Sequence, residues 1–528
     1  MNHKTAIRTA LIAVLTLILA APFVAVPAGA ATYFPITGTG STWSQNALDQ
    51  WRSNVAKNYA MTINYTGAGS TSGRRDFIDG TVDFAISEIP FQANPEDGSA
   101  PEKPKYGYAY MPIVAGGTSF MYNLKISGKR VTNLRLSGDT ITKIFTGAIT
   151  NWSDAAIQAD NPGLAMPNKN IVPVIRSDGS GTSAQFTLWM SKQYPSLWKK
   201  GMTSQFPSFG NSKAQKGSAG VSGYVSQTYG EGAITYVEYS YAKKAGFPVA
   251  KVLNKSGYYV EPTASSVAVA MMKAEINTDK SSTNYLTQIL DGVYNSTDKR
   301  AYPLSSYSYL IVPTEVAGIF NTNKGNTLGA FARYVLCEGQ QQADTLGYSP
   351  LPMNLVMAGS DQIKRIPGAG SNGIDINSCN NPTFKAGDSL SKNQLATNAA
   401  YPADCDKKGT SQCTTGTAGA TQDTAITGKG TGGSANTGTS SSTSGTSSAT
   451  STTSGSGTVT DENGNVLSAT NSGSGTTGGA ASSPFTLPDP GMGSSQWLMV
   501  AAALLLVAAV VVPPLVSKRL RAGPSHGE

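Results

Sequence analysis

NIVPVIRSDGSGTSAQFTLWM, residues 170–190, changes period in its middle. Its first seven residues are mostly β-branched and apolar, a turn of glycine and hydroxyl residues follows, and the rest is apolar at helical spacing. That is a strand, a turn and a helix in one unit. Working outward, TVDFAIS (81–87) reads as another strand, and STWSQNALDQWRSNVAKNY (41–59) reads as a helix with Ala47, Leu48, Trp51 and Val55 on one face. Alternating strands and helices predict α/β architecture with mostly parallel sheets. The segment 31–383 is too long for one core, so two lobes are expected.

The turn itself poses the chemical question. It offers Arg176, Ser180 and Thr182 but no histidine or lysine, and its composition recurs twice, in GTGSTW (38–43) and GAGSTSG (67–73). Each precedes a predicted helix, whose first N–H groups lack partners and carry the positive end of the helix dipole. Glycine admits a ligand oxygen close to the main chain, and the hydroxyls either donate to it or cap the helix. Three such turns at the carboxyl ends of strands lie where open α/β sheets bind ligands. Arg176 supplies a planar fork for an oxyanion or, on the plainer reading, pairs with Asp178. Glu88 ends a strand just past Ser87, and a carboxylate there accepts only from a ligand that still carries a proton.

Composition removes several other classes. The chain has 528 residues, 39% hydrophobic and 14% charged, and its only histidines, His3 and His526, lie at the two ends. That excludes Ser-His-Asp and Cys-His catalysis and the common His-based zinc sites from the body of the chain. Ser180 also lacks the G-x-S-x-G elbow, because Asp178 stands at its first glycine. No metal or cofactor is expected, and no enzymatic activity. The net charge of +8 is diffuse, so no nucleic-acid partner is predicted.

The chain ends read differently. Residues 1–30 have the pattern of a secretory signal, with Lys4 and Arg8, an apolar run and the small residues 28–30. Cys337, Cys379, Cys405 and Cys413 make an even count in an exported protein, for which three disulfide pairings are open; proximity favours Cys405 with Cys413, leaving Cys337 with Cys379. Residues 406–495 turn to Gly, Ser, Thr and Ala and are expected to form a disordered stalk, with a marginal hairpin around Asn463-Gly464. Residues 497–516 are apolar and uncharged, long enough for a transmembrane helix, and the basic tail 517–528 would stay cytoplasmic. LPDPG at 487–491 raises a second reading, covalent anchoring by a sortase.

The motifs GTGSTW, YTGAGSTSGRRDFIDGTVDFAISEIPF (65–91), IFTGAITNWSD (144–154), VIRSDGSGTSAQFT (174–187), GAITYVEYSYA (232–242) and GYSPLP (347–352) occur in the order seen in one family. Over residues 34–355 the chain resembles the phosphate-binding proteins of ABC-type phosphate uptake systems. The resemblance implies a two-lobed periplasmic-binding-protein fold of type II, hinged on two crossover strands near 113–123 and 308–314. Lobe one would comprise 31–120 and 305–383, and lobe two 121–304. It further implies inorganic phosphate as ligand, held by Ser41, Thr42, Trp43 (through its backbone N–H), Ser70, Glu88, Arg176, Ser180, Gly181 and Thr182, with Asp178 positioning the arginine. Glu88 stands where the family usually has aspartate, and Trp43 where it usually has phenylalanine. The implied partners are the membrane subunits of an ABC permease, reached from the extracellular face of the membrane through the C-terminal helix. A surface adhesin or sensor, a phosphatase, and a binding protein for another oxyanion are the competing readings.

Overall fold

The computed structural model describes residues 33–95, 98–420 and two short strands at 459–460 and 466–467. The signal segment, most of the expected stalk, the apolar run 497–516 and the basic tail lie outside the described residues. Among the described residues no helix is long and apolar enough to cross a membrane.

The first lobe begins β1 (Ile36–Gly40), α1 (Gln45–Tyr59), β2 (Ile63–Thr66), α2 (Ser70–Asp79), β3 (Phe84–Ser87). The chain then leaves it along β4 (Tyr108–Tyr122), a 15-residue strand that spans roughly 50 Å at about 3.3 Å per residue. The second lobe contains β5 (Val172–Arg176), α3 (Gly181–Gln193), β6 (Lys213–Gln215), α4 (Gly217–Ser226), β7 (Ala233–Glu238) and α5 (Tyr239–Ala245). The chain returns along β8 (Ser305–Pro313) and completes the first lobe with α6 (Thr322–Leu336) and α7 (Met353–Ile363).

All eight strands form one sheet, in the order β2-β1-β3-β8-β4-β7-β5-β6. Its two outer parts are parallel, β2-β1-β3 and β7-β5-β6. They are joined by antiparallel pairs through β8 and β4. Positions 108–117 of β4 pair with β8, whereas Thr118–Tyr122 pair with β7, so this strand belongs to both lobes. The register between β4 and β8 slips at Ser308 and Tyr309, opposite Val114 and Pro112. Proline has no N–H for the ladder, and a bulge beside it is where such a residue is tolerated.

Each lobe has its own apolar core. In the first, Trp51, Val55, Phe84, Met111, Leu310 and Phe331 pack together, and the predicted face of α1 is buried with Trp51 donating its indole N–H to Gly339 O at 2.8 Å. In the second, Phe120, Phe145, Phe186, Phe206 and Tyr236 form an aromatic cluster, with Phe186 and Tyr236 centroids 5.0 Å apart. Replacing Trp51 by alanine would cost about 3–5 kcal/mol.

One sequence expectation fails at the domain end. The composition shift at residue 406 does not end packed structure, because residues 384–420 run as a strap from the first lobe onto the second. Phe384 is still in the first core, whereas Ala396 and Ala399 are buried in the second. Farther on, Lys251 meets Asp406 at 2.7 Å, Arg135 Nη1 donates to Cys405 O (3.0 Å) and Ser411 O (2.8 Å), and Ala418 N–H donates to Glu261 Oε1 (2.7 Å). From residue 405 on, the segment is held largely by polar contacts, in which the second lobe supplies Arg135, Lys251 and Glu261 and the strap supplies carbonyls, Asp406 and an N–H. A composition rule that counts apolar residues therefore assigns it to the stalk. Disulfides join Cys337 to Cys379 and Cys405 to Cys413, the latter inside the strap. Farther along the chain, Val459–Thr460 pairs antiparallel with Val466–Leu467, while Asn463 and Gly464 lie outside the described residues.

Candidate functional site

The three glycine and hydroxyl turns come together where the lobes meet. Ser41, Thr42 and Trp43 lie between β1 and α1, Ser70 opens α2, Glu88 follows β3, and Arg176 through Thr182 join β5 to α3. All nine predicted ligand residues are buried.

The first turn is oriented by tyrosines. Tyr65 OH donates to Ser41 O (2.7 Å), Tyr241 OH to Thr42 O (2.5 Å) and Tyr348 OH to Trp43 O (2.6 Å). Burial pushes all three phenols well above their ordinary range, so they act as neutral donors. With successive carbonyls engaged, the N–H groups of the following residues point the other way across each planar peptide. Trp43 N–H, expected to face a ligand, instead donates to Ser41 Oγ at 2.9 Å, a local bond typical of serine two residues earlier.

The centre of the site crosses the lobes. Ser70 Oγ donates to Glu88 Oε2 at 2.8 Å and accepts from Gly181 N–H of the other lobe at 3.1 Å. Glu88 Oε1 accepts from Ser308 Oγ on β8, so the carboxylate is clamped between a helix start and a crossover strand. About half of its lone-pair capacity remains for another donor. A Cβ at Gly181 would stand 2.0 Å from Glu88 Oε2, so this approach requires glycine. Gly69 is the counterpart in the first lobe: its φ is +98°, and a Cβ there would come within 2.6 Å of Asp178 Oδ2. The two lobes are closed on each other.

Arg176 pairs with Asp178, the plainer of the two readings offered for it. Its Nε and Nη2 donate to Asp178 Oδ1 and Oδ2 at 2.7 and 2.5 Å, while Nη1 reaches Thr182 Oγ1 and Ser218 Oγ at 3.4 Å. Burial works against the guanidinium charge, but Asp178 outweighs it and holds Arg176 above its ordinary value. For Asp178 burial works upward, and Arg176 with the Gly217 N–H (2.9 Å) overcomes it, leaving the carboxyl below its usual range. Ser180 spends its hydroxyl oxygen accepting Ser183 N–H as the cap of α3. By contrast, α1 and α2 start without any side-chain cap, so their first N–H groups are not satisfied in that way.

Three contributors escaped the sequence reading. Ser308 lies 220 positions from Glu88, and only the sheet order joins them. Ser218 opens α4 and meets Thr42, its N–H donating to Thr42 Oγ1 at 3.0 Å and the two hydroxyls lying 2.9 Å apart. Tyr241 reaches Thr42 from the second lobe. KGSAG (216–220) has the glycine and hydroxyl composition of the other turns and could have drawn attention to Ser218. No local signal marks Ser308 or Tyr241.

Two α/β lobes on a pair of crossover strands, closed over a polar seam, define a two-lobed binding protein. A family model described as the PBP superfamily domain matches residues 25–338. The phosphate-binding protein PstS of Xylella fastidiosa is 32% identical over 325 residues, which is 61% of this chain and 82% of that one. PstS of Haemophilus influenzae is 31% identical over 330 residues, 62% of this chain and 92% of that one. A solved high-affinity periplasmic phosphate-binding protein with bound phosphate aligns with a TM-score of 0.48 at 18% identity, covering 70% of this chain and 100% of that one. The chain belongs to the PstS family within the PBP superfamily.

Proposed function

We propose that this protein captures inorganic phosphate between its lobes and delivers it to an ABC permease, without catalysing a reaction. The observation that carries the reading is the seam itself, where Ser70 links the carboxylate of Glu88 to the Gly181 N–H of the other lobe and Arg176 reaches the Thr182 hydroxyl on the turn that carries Gly181. A doubly charged phosphate that keeps one proton has oxygens for all the donors and one hydroxyl for the carboxylate. Sulfate at neutral pH has no proton to offer Glu88, so the same carboxylate that holds phosphate repels sulfate. Affinity comes from charge-assisted hydrogen bonds in a water-excluded seam, not from the net charge of the chain. In this reading Ser41, Thr42, Ser180 and the backbone N–H of Trp43 complete the donor shell. Ser180 can still donate its hydroxyl hydrogen while capping α3, and Trp43 would exchange its bond to Ser41 for the ligand.

Lobe boundaries follow the same reading: the first lobe takes 31–120 and 305–383, and the second takes 121–304 together with the strap. Residues 1–30 direct export, 421–495 form a spacer and 497–516 tether the protein to the membrane, with the binding domain on its outer face. The supporting features are the signal pattern, the Gly/Ser/Thr composition and the apolar run followed by Lys518, Arg519 and Arg521. Calorimetric titration of the full chain with phosphate, arsenate and sulfate tests the ligand. Binding of phosphate and arsenate with rejection of sulfate is expected, and equal binding of all three, or none, would overturn the assignment.

A further inference from the structure

A second polar cluster lies beneath the hinge, outside the ligand seam. Thr118 of β4, Ser306 of β8, Gln185 of α3 and Tyr294 of the short helix Asp291–Tyr294 line one small cavity together with Trp189, Leu290, Leu304 and Ser305. These four residues are 1, 2, 7 and 4% exposed. Thr118 Oγ1, Ser306 Oγ, Gln185 Oε1 and Tyr294 OH have no hydrogen-bond partner within the protein. Four buried polar atoms without partners around one cavity are out of keeping with the near-complete pairing of protein interiors. Their convergence points to a ligand.

The lining limits what that ligand is. The cavity leaves about 10 Å³ for the centre of a water-sized sphere, which is room for one water. No charged side chain lines it, so nothing compensates an ion. Gln185 Oε1 only accepts, whereas the three hydroxyls accept or donate. A molecule that donates two hydrogen bonds and accepts two satisfies all four atoms at once.

We infer that this cavity is a binding site for a single structural water that joins both crossover strands to the second lobe. The other amide atom of Gln185 gives the site a role beyond stability. Gln185 Nε2 donates to Glu88 O at 2.7 Å, so the orientation of this amide, set by the water at Oε1, also fixes the backbone of Glu88. The water carries contact from Thr118 and Ser306 to the residue at the centre of the seam. Its presence does not depend on which anion the seam binds.

The test combines a crystal structure of the full chain with urea unfolding of Tyr294→Phe, Thr118→Val and the double variant. The expected result is a density peak at about 2.7–3.2 Å from all four atoms. It should be lost in the double variant, and each single variant should have a lowered unfolding midpoint. Higher midpoints would overturn the inference, since removing a hydroxyl with no partner stabilises a fold. So would four side chains found turned onto one another with no density between them. Crystals grown with rubidium guard the chemistry: an anomalous peak at the site would mean a cation, and would refute the neutral ligand.

Discussion

Glu88→Gln tests the site most directly, because it keeps the shape of the side chain and removes its charge. Glu88 accepts from Ser70 Oγ at 2.8 Å and from Ser308 Oγ, and both hydroxyls can rotate to suit an amide. The fold should therefore tolerate the change. What the variant loses is one charge-assisted acceptor for the ligand proton, worth about 1.5–3 kcal/mol. That corresponds to phosphate binding roughly 10–150-fold weaker. The amide N–H now faces the ligand and donates, so sulfate, which the carboxylate repels, should bind better. Two titrations by calorimetry, with phosphate and with sulfate, read both shifts, and a thermal melt of the ligand-free chain confirms folding. Glu88→Asp keeps the charge but withdraws it by about 1.5 Å, one carbon–carbon bond, and should fall between the parent and Glu88→Gln. Phosphate affinity within about twofold of the parent, with sulfate still rejected, would refute the proton-acceptor reasoning.

Other consequences can be checked separately. Gly181→Ala places a methyl 2.0 Å from Glu88 Oε2 and 2.6 Å from Ser70 Oγ, atoms of the opposite lobe. Closure should be blocked and phosphate affinity should fall at least about tenfold, with little change in the melting of the ligand-free chain; unchanged affinity would show that the lobes need not approach this closely. Asp406→Ala strips the partner from Lys251, whose side chain is only 11% exposed, and should cost about 3–5 kcal/mol in urea unfolding. Adding Lys251→Met should restore most of that loss, and a single variant as stable as the parent would contradict the buried pair. Glu238 concerns pH. Burial holds its carboxyl well above its ordinary value of 4.5, so the folded chain keeps a proton that the unfolded chain releases. Its contribution is complete below 4.5 and is lost as pH rises toward the folded value. Glu238→Gln should flatten the decline of melting temperature with rising pH, and identical slopes would mean that the group is already ionised when folded.

What the sequence disclosed depended on how local each signal was. The unit 170–190 was readable because a strand, a turn and a helix follow without a break, and each has its own period. The face of α1 and the three turns were readable for the same reason. Ser308 was not, since its contact with Glu88 exists only because β8 returns 220 residues later to lie beside β3. The tyrosines that hold the first turn, at 65, 241 and 348, are scattered through both lobes and look like ordinary core aromatics. The end of the strap, residues 406–420, was misread as stalk for a different reason. Its stability lies in Arg135, Lys251 and Glu261, which belong to other segments, so its own composition reveals only that it has little to bury.

The strap also bears on the order in which the molecule can be finished. Synthesis runs from the N-terminus, so residues 121–304 are made early, but Arg135 Nη1 and Lys251 Nζ lack the acceptors they meet in the finished fold until the chain has supplied positions 405 to 411, some 270 residues after Arg135. Until that moment Arg135 keeps its Nε bond to Asp160 O and its place over the Tyr259 ring, while Lys251 waits for the carboxylate of Asp406. The strap is thus a closing stitch, and a chain cut short just before it leaves a second lobe that has its strands and helices yet lacks these partners for Arg135 and Lys251. A protease would read that difference directly, since a second lobe loosened in this way is cleaved before a finished one.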